Sequence, residues 1–335
     1  MIALVVGAVA IAAALEAYAQ GREIYRVNER IARLQEQGRV ALSVMEPDVE
    51  MAGFYGFTRS ADVIRFVLGG ASSVTAADAD ELRQFAVNPG AVVPPAVTVL
   101  PPGAHVCGVN FAVDVSMPVQ GSNDIFALGR GPTGCDAYQR RAQTGADTLT
   151  LRRATTQPSA PEANRIQIYA SRDSSQTSAL MFVDGRAPGP LDDDHRVHNL
   201  VVRTYYVAAD SVGQRGFPAL RVKSLTRSGS ALSFDEDEVM AGIEDLQVQF
   251  GIGTIGESNG QVARYVNPDF AELPWAPVVS VRVWLRVRAD IPEPSFTDAR
   301  TYRYAGVVYT PAGAESHYRR VLVAKTLTRR NARAT

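Results

Sequence analysis

Met1 to Leu15 (MIALVVGAVAIAAAL) carries no charged or strongly polar side chain before Glu16 interrupts the run. As a helix this stretch covers about 22 Å, short of the ~30 Å hydrocarbon core of a bilayer. A cleaved signal peptide would show a basic stretch ahead of the apolar run and small residues at a cleavage site. Ala17-Tyr18-Ala19 offers the second of these, and nothing basic precedes Met1. Beyond that point Ile24, Val27, Ile31, Leu34, Gly38, Ala41 and Met45 recur at alternating steps of three and four, the spacing of one helix face. Arg22, Glu29, Arg33, Glu36 and Arg39 occupy the other faces, with Glu29 placed ahead of Arg33 in the favourable order. The pattern predicts one helix of roughly 45 residues, about 70 Å long, divided at Gly21 and broken or kinked near its end by Pro47. A plain coiled-coil stalk would produce the same steps.

After Phe57 the period changes. Short runs rich in β-branched and aromatic residues alternate with Gly, Pro, Asn and Asp clusters, an all-β rhythm. The clearest strand is Ser280 to Arg288, with Val281, Val283, Leu285 and Val287 on the core face and Arg282, Trp284, Arg286 and Arg288 on the other. Further strands are predicted at 148–152, 165–169, 180–183, 200–207, 219–225, 246–250 and 321–327. Pro94 to Pro102 and Ala187 to Asp194 read as loops, and no fixed-period repeat occurs. A sheet with one apolar face needs a partner layer, which the amphipathic half of the helix supplies. The expected architecture is α+β, a long N-terminal helix packed on an antiparallel β-rich domain. Its parts are residues 1–20, 21–57 (amphipathic half and exit loop) and 58–335, without a second globular domain.

Hydrophobic residues make up 46% of the chain and charged residues 21%, which is ordinary globular material. A formal net charge of -1 supplies no field for holding nucleic acid. Arg319, Arg320, Arg329, Arg330 and Arg333 near the end lack interleaved aromatics and read as a solvated strand edge. The two cysteines, Cys107 and Cys135, form no Cys-x-x-Cys pair. They are either one disulfide or two buried thiols; an oxidising compartment favours the disulfide, worth about 3–4 kcal/mol on the chain-entropy view.

Two blocks are more specific than periodicity. RIARLQEQGRVAL (Arg30 to Leu42) followed by MEPDVEMAGFYGF (Met45 to Phe57) resembles the PilW family of type IV minor pilins, through Gln35, Gln37, Gly38, Arg39, Met51, Ala52, Gly53 and Phe54. MAGIEDLQVQFGI (Met240 to Ile252) is similar to the family's late strand, through Glu244, Asp245 and Leu246. The blocks from Val278 to Asp290 and from Tyr318 to Asn331 also fit in order, while residues 58–200 match loosely. The resemblance implies a methylated aromatic start and a nearby glutamate that fall ahead of Met1, so the precursor is expected to begin upstream. Phe57 stands where relatives place a cysteine, which leaves Cys107 with Cys135.

What the resemblance implies is assembly. The chain would be a single-pass inner-membrane subunit with an extracytoplasmic domain, type IV pilin-like in fold. It would join other minor pilins and the major pilin in a priming complex at the pilus tip that presents a large adhesin. Leu4, Val5, Val9, Ile11 and Leu15 would lie in lipid and later in the fibre core, and Ile24, Val27, Ile31 and Leu34 would pack the helix on its domain. Alternatives are a J-type minor pseudopilin of type II secretion and a membrane-tethered adhesin or binding domain that never polymerises. No Gly-x-Ser-x-Gly, Walker, His-Glu-x-x-His or Gly-x-Gly-x-x-Gly motif occurs, so neither catalysis nor a cofactor is expected. Gly251 to Gly256 and Asp235 to Glu238 read as turns. Asp192, Asp193, Asp194, His195 and His198 lack calcium-loop spacing and read as a solvated acidic turn, not a metal site.

Overall fold

A strand whose alternate residues are all valine or leucine must bury that face, and Val281, Val283, Leu285 and Val287 are each fully buried. They lie on β11 (Val278–Arg288), the centre of an antiparallel sheet ordered β10-β9-β11-β14, where β9 is Ile243–Ile252, β10 Arg264–Val266 and β14 Arg320–Thr328. The computed structural model describes residues 2–58, 64–66, 107, 111–112, 114–128, 134–172, 179–228, 231–254, 261–273 and 276–332. The predicted Pro94–Pro102 loop and part of the predicted turn at Gly251–Gly256 lie outside them.

A second sheet contains eight strands. It is ordered β1-β5-β4-β6-β3-β2, with β7 added to β6 and β8 to β7. These are β1 (Ile64–Phe66), β2 (Val119–Ser122), β3 (Thr148–Ala154), β4 (Ala163–Ser171), β5 (Ala179–Asp184), β6 (His195–Ala208), β7 (Ala219–Ser228) and β8 (Ala231–Ala241). All pairs are antiparallel except β1 with β5. A hairpin of β12 (Tyr302–Tyr304) and β13 (Val307–Tyr309) completes the body. Each of the eight strands predicted from sequence is present; the 11-residue β8 is not among them, and the three- and four-residue strands are too short to show a period.

The helix α1 runs from Ile2 to Met51, about 75 Å. Its apolar stripe of Leu34, Ala41, Leu42, Met45, Val49 and Ala52 joins one core cluster with the valines of β11 and with Leu149 and Tyr205. A second cluster, containing Ile168, Met181, Val183, Val202 and Phe234, surrounds the disulfide between Cys107 and Cys135. The body is therefore α+β, helix on antiparallel sheet.

Several expectations are corrected. Pro47 lies inside α1 and does not end it, because the last turn is held from outside by tertiary contacts of Asp48 and Glu50. Asp235 to Glu238 belong to β8 and not to a turn: Glu236 and Glu238 face Arg221 and Lys223 of β7, so strand pairing is stabilised by charge pairing. His195 and His198 begin β6, and His198 points inward to bond the carbonyl of Thr155 at 2.7 Å, away from Asp192. Arg320 is fully buried in an ion cluster, not solvated. The 187–194 segment is a loop as expected.

Gly38 explains how closely helix and sheet approach. A Cβ there would meet Val323 Cγ2 of β14 at 2.6 Å and Val287 Cγ2 of β11 at 3.2 Å. Gly38→Ala improves helix propensity by about 1 kcal/mol, but it should cost a net 1–3 kcal/mol, roughly the penalty of overpacking against stiff β-branched neighbours. Gly21→Ala, with open space around it, should stabilise or be neutral; chemical denaturation of both variants checks the contrast.

Candidate assembly helix and its seat on the body

The two halves of α1 meet different surroundings. Towards its start Ile11, Leu15, Tyr18, Ile24 and Tyr25 are 62–72% exposed, and the body does not reach them. Leu4, Val5 and Val9 lie on the same stretch, with side chains outside the described residues. Ile24, expected to pack on the domain, is in this free part, because the body begins to cover the helix only near Val27. Val27 and Ile31 are half-buried and Leu34 is buried. Among the described residues no helix is long and apolar enough to cross a membrane.

From Arg30 onward the helix is clamped by charge. Arg30 pairs with Glu293 at 2.6 Å and Arg33 with Asp290 at 2.8 Å, so Arg33 reaches the body and not Glu29. On the far side Glu46 receives Lys325 and Glu50 receives Arg330, both at 2.7 Å. Gln35 and Arg39 of the recognised block remain exposed, Gln37 is half-buried, and Gly38 forms the close contact with β14.

Asp48 anchors the last turn. Its carboxylate is 1% exposed and accepts from Arg153 Nε, Arg203 Nη1 and the Tyr205 hydroxyl at 2.9, 2.9 and 2.6 Å. Burial and the Asp48 charge both push the Tyr205 phenol up, so it stays a donor. Burial pulls the Arg203 guanidinium down, but Asp48 outweighs it and the net direction is up. Sequence reading passed over this residue, although a charge three positions after Met45, beside Val49, sits on the apolar face and signals a buried partner.

The exit after Met51 is set by glycine. Met51 is half-buried and Ala52 fully buried, and Gly53 turns with φ of 81°, a conformation that disfavours side-chain-bearing residues. Its N–H then bonds the Arg152 carbonyl, and the Phe54 carbonyl accepts from Ala154, which joins the chain to the end of β3. Phe54 meets His198 edge-on at 6.2 Å. Phe57 lies under the guanidinium of Arg172.

Glu244 and Asp245 form the other anchor, at the start of β9. Glu244 accepts from Arg286 Nε at 2.5 Å and Arg320 Nε at 2.7 Å, while Asp245 accepts from the Tyr304 hydroxyl and lies 3.3 Å from Arg286. Glu315 reaches Arg288 and Arg320 at 2.9 and 2.8 Å. Three carboxylates thus neutralise three guanidiniums. Burial pulls Arg286 and Arg320 down, yet the facing carboxylates hold both above the usual arginine value. Leu246, fully buried, points from the same strand into the helix-facing core.

Residues 204–331 match the PilW family, described as Type IV Pilus-assembly protein W. The PilW-matched segment contains the four-stranded sheet, the Glu244 cluster and β14, one part of the seat of the helix; Arg153 and Arg203, which hold Asp48, precede it. The helix itself lies outside it. A type IV-like pilin from Thermus thermophilus aligns at 15% identity over 57% of this chain and 80% of its own, with a TM-score of 0.27. No curated protein matches.

Two outcomes are expected of the seat. Asp48→Ala leaves two guanidiniums facing a buried void and should cost about 3–5 kcal/mol, measured by urea denaturation. Glu293 is pushed up by burial but held below its ordinary value by Arg319 and Arg30. Its folded value is depressed, so its contribution is complete above the ordinary 4.5 and is lost as pH falls through the lower folded value. Arg30→Met should therefore cost about 0.5–1 kcal/mol at neutral pH, with the gap to wild type closing in acid.

Proposed function

We propose that the chain acts by assembly, as a minor pilin of a type IV pilus, and that it is a structural subunit and not an enzyme. The observation carrying this reading is the division of α1: one half is locked to a body whose residues 204–331 match PilW, and the other extends from it with large apolar side chains turned outward. Apolar surface of that extent needs another cover. Lipid of the inner membrane provides it before assembly, through the run from Met1 to Leu15, and neighbouring helices provide it in the fibre. Other minor pilins and the major pilin are the partners, in a priming complex at the tip that presents an adhesin.

The buried charges of the seat fit the same role. A subunit pulled out of a membrane by its stem must transmit that load to its body, and Asp48, Glu46 and Glu50 tie the helix at its very end. Type II secretion would use the same physics, and the deletion phenotype separates the two readings.

A strain lacking the chain should lose surface pili with protein secretion intact; secretion loss with normal piliation overturns the pilus reading. Complementation with a paired Ile11→Arg and Leu15→Arg variant should fail to restore pili, although its isolated body melts like wild type, because neither residue touches the body.

A further inference from the structure

Long sheet edges expose a row of unpaired backbone groups, and proteins usually cover, bend or charge them. The edge at β8 is treated in this way: its pairing with β7 carries a register shift, and the segment at Gly134, next to the disulfide, presses on the backbone of Phe234. The edges at β1, β2 and β10 are three or four residues long. β14 is different, with nine residues that pair with β11 in unbroken register.

The direction of its free groups follows from the ladder. Arg329 donates inward to Val279, and the Arg319 carbonyl accepts from Ala289, so odd-numbered residues pair with β11. The Arg330 N–H and Arg320 carbonyl point the other way, where Glu50 and Arg300 satisfy them. By alternation the N–H and C=O of Leu322, Ala324, Thr326 and Thr328 face outward. No described residue bonds to them. Lys325, the cation that could guard this edge, is held by both oxygens of Glu46.

The helix turns this edge into a corner. Arg30 and Arg319 share Glu293, Gly38 rests on Val323, Glu46 meets Lys325 and Glu50 meets Arg330, so α1 runs alongside β14 in the same direction. Arg39, seven and eleven residues before Glu46 and Glu50, lies on the same helix face. It is exposed and has no ion-pair partner among the described residues.

We propose that this corner receives an extended strand from a different subunit, which adds to β14 through the outward groups of Leu322 to Thr328 and places a carboxylate against Arg39. The identity of the partner as a pilus subunit rests on the assembly reading. Two copies do not pair antiparallel through β14, because that needs a two-fold axis that would also reverse α1, whereas subunits in one membrane carry their helices in one direction; parallel pairing of two copies is an outcome the crosslinks below read out. The occupant's alternate residues would lie on Val321 and Val323 on the helix side and beside Ala324 and Thr326 on the outer side.

Photo-crosslinking residues placed singly at Ala324 and at Ile11 of the full chain, in cells making the native pilus components, test this. We expect Ala324 to link to an extended segment of another pilus subunit. Arg39→Glu should cut the yield about tenfold, as for loss and reversal of one interfacial charge pair. Thr326→Pro, which removes an outward N–H while leaving the inner ladder, should abolish the link. Arg39 is exposed, so its variant keeps the test valid should Thr326→Pro not fold. Links from Ile11 to pilins with none from Ala324, or links from Ala324 to a second copy alone, would overturn the docking corner and leave the assembly reading standing. No pilin link from Ile11 would remove the assembly reading and the partner with it.

Discussion

The rest of the structure depends on a close, charge-locked contact between the second half of α1 and the sheet beneath it. Glycine at position 38 lets the helix axis approach β14 and β11 to a distance that a methyl group would obstruct. Once the helix is that near, Leu34, Ala41, Met45 and Val49 fill the space above the valines of β11, and water is excluded from both layers. Exclusion of water is also what makes Asp48 strong: in a wet site its pairs with Arg153 and Arg203 would contribute little, and in a dry one removal of either side is costly.

This arrangement divides the helix into a docked half and a free half. The free half of the helix keeps its apolar side chains because the docked half and its ion pairs already hold the body. The Glu244 cluster performs a related task one layer away, binding β9, β11, β14 and the β12–β13 hairpin into one unit through arginines that remain charged while buried. Glu46, Asp48 and Glu50 couple the helix to the body through side chains that cannot rotate away without leaving a charge unpaired. The free edge of β14 lies directly beside these contacts.

The proposed assembly role draws on surfaces and seams of the fold. The recognised block shows this division residue by residue. Gly38, Ala52 and Gly53 are needed for the seat and the exit turn, whereas Gln35 and Arg39 are exposed and make no side-chain hydrogen bond or ion pair among the described residues. Glu244 and Asp245, which sequence pattern marks as a family feature, have a structural cause: they are the acceptors around which three arginines close.

Local pattern by itself determined the long helix, its apolar stripe and eight of the nine longer strands, β8 being the exception, because periods of 3.6 and 2 are written into consecutive residues. Short blocks of unusual spacing also carried the resemblance to the PilW family. Tertiary structure alone decided which charges are buried. Arg320, Arg221 and Lys223 look like solvent-facing residues in any local window, and they are buried because carboxylates on other strands meet them. It also decided that Pro47 would not end the helix, that Ile24 would stay outside the body, and that β14 would be left as an edge. Those outcomes depend on which segments lie side by side, and pairing between residues hundreds of positions apart leaves no trace in the period of either one.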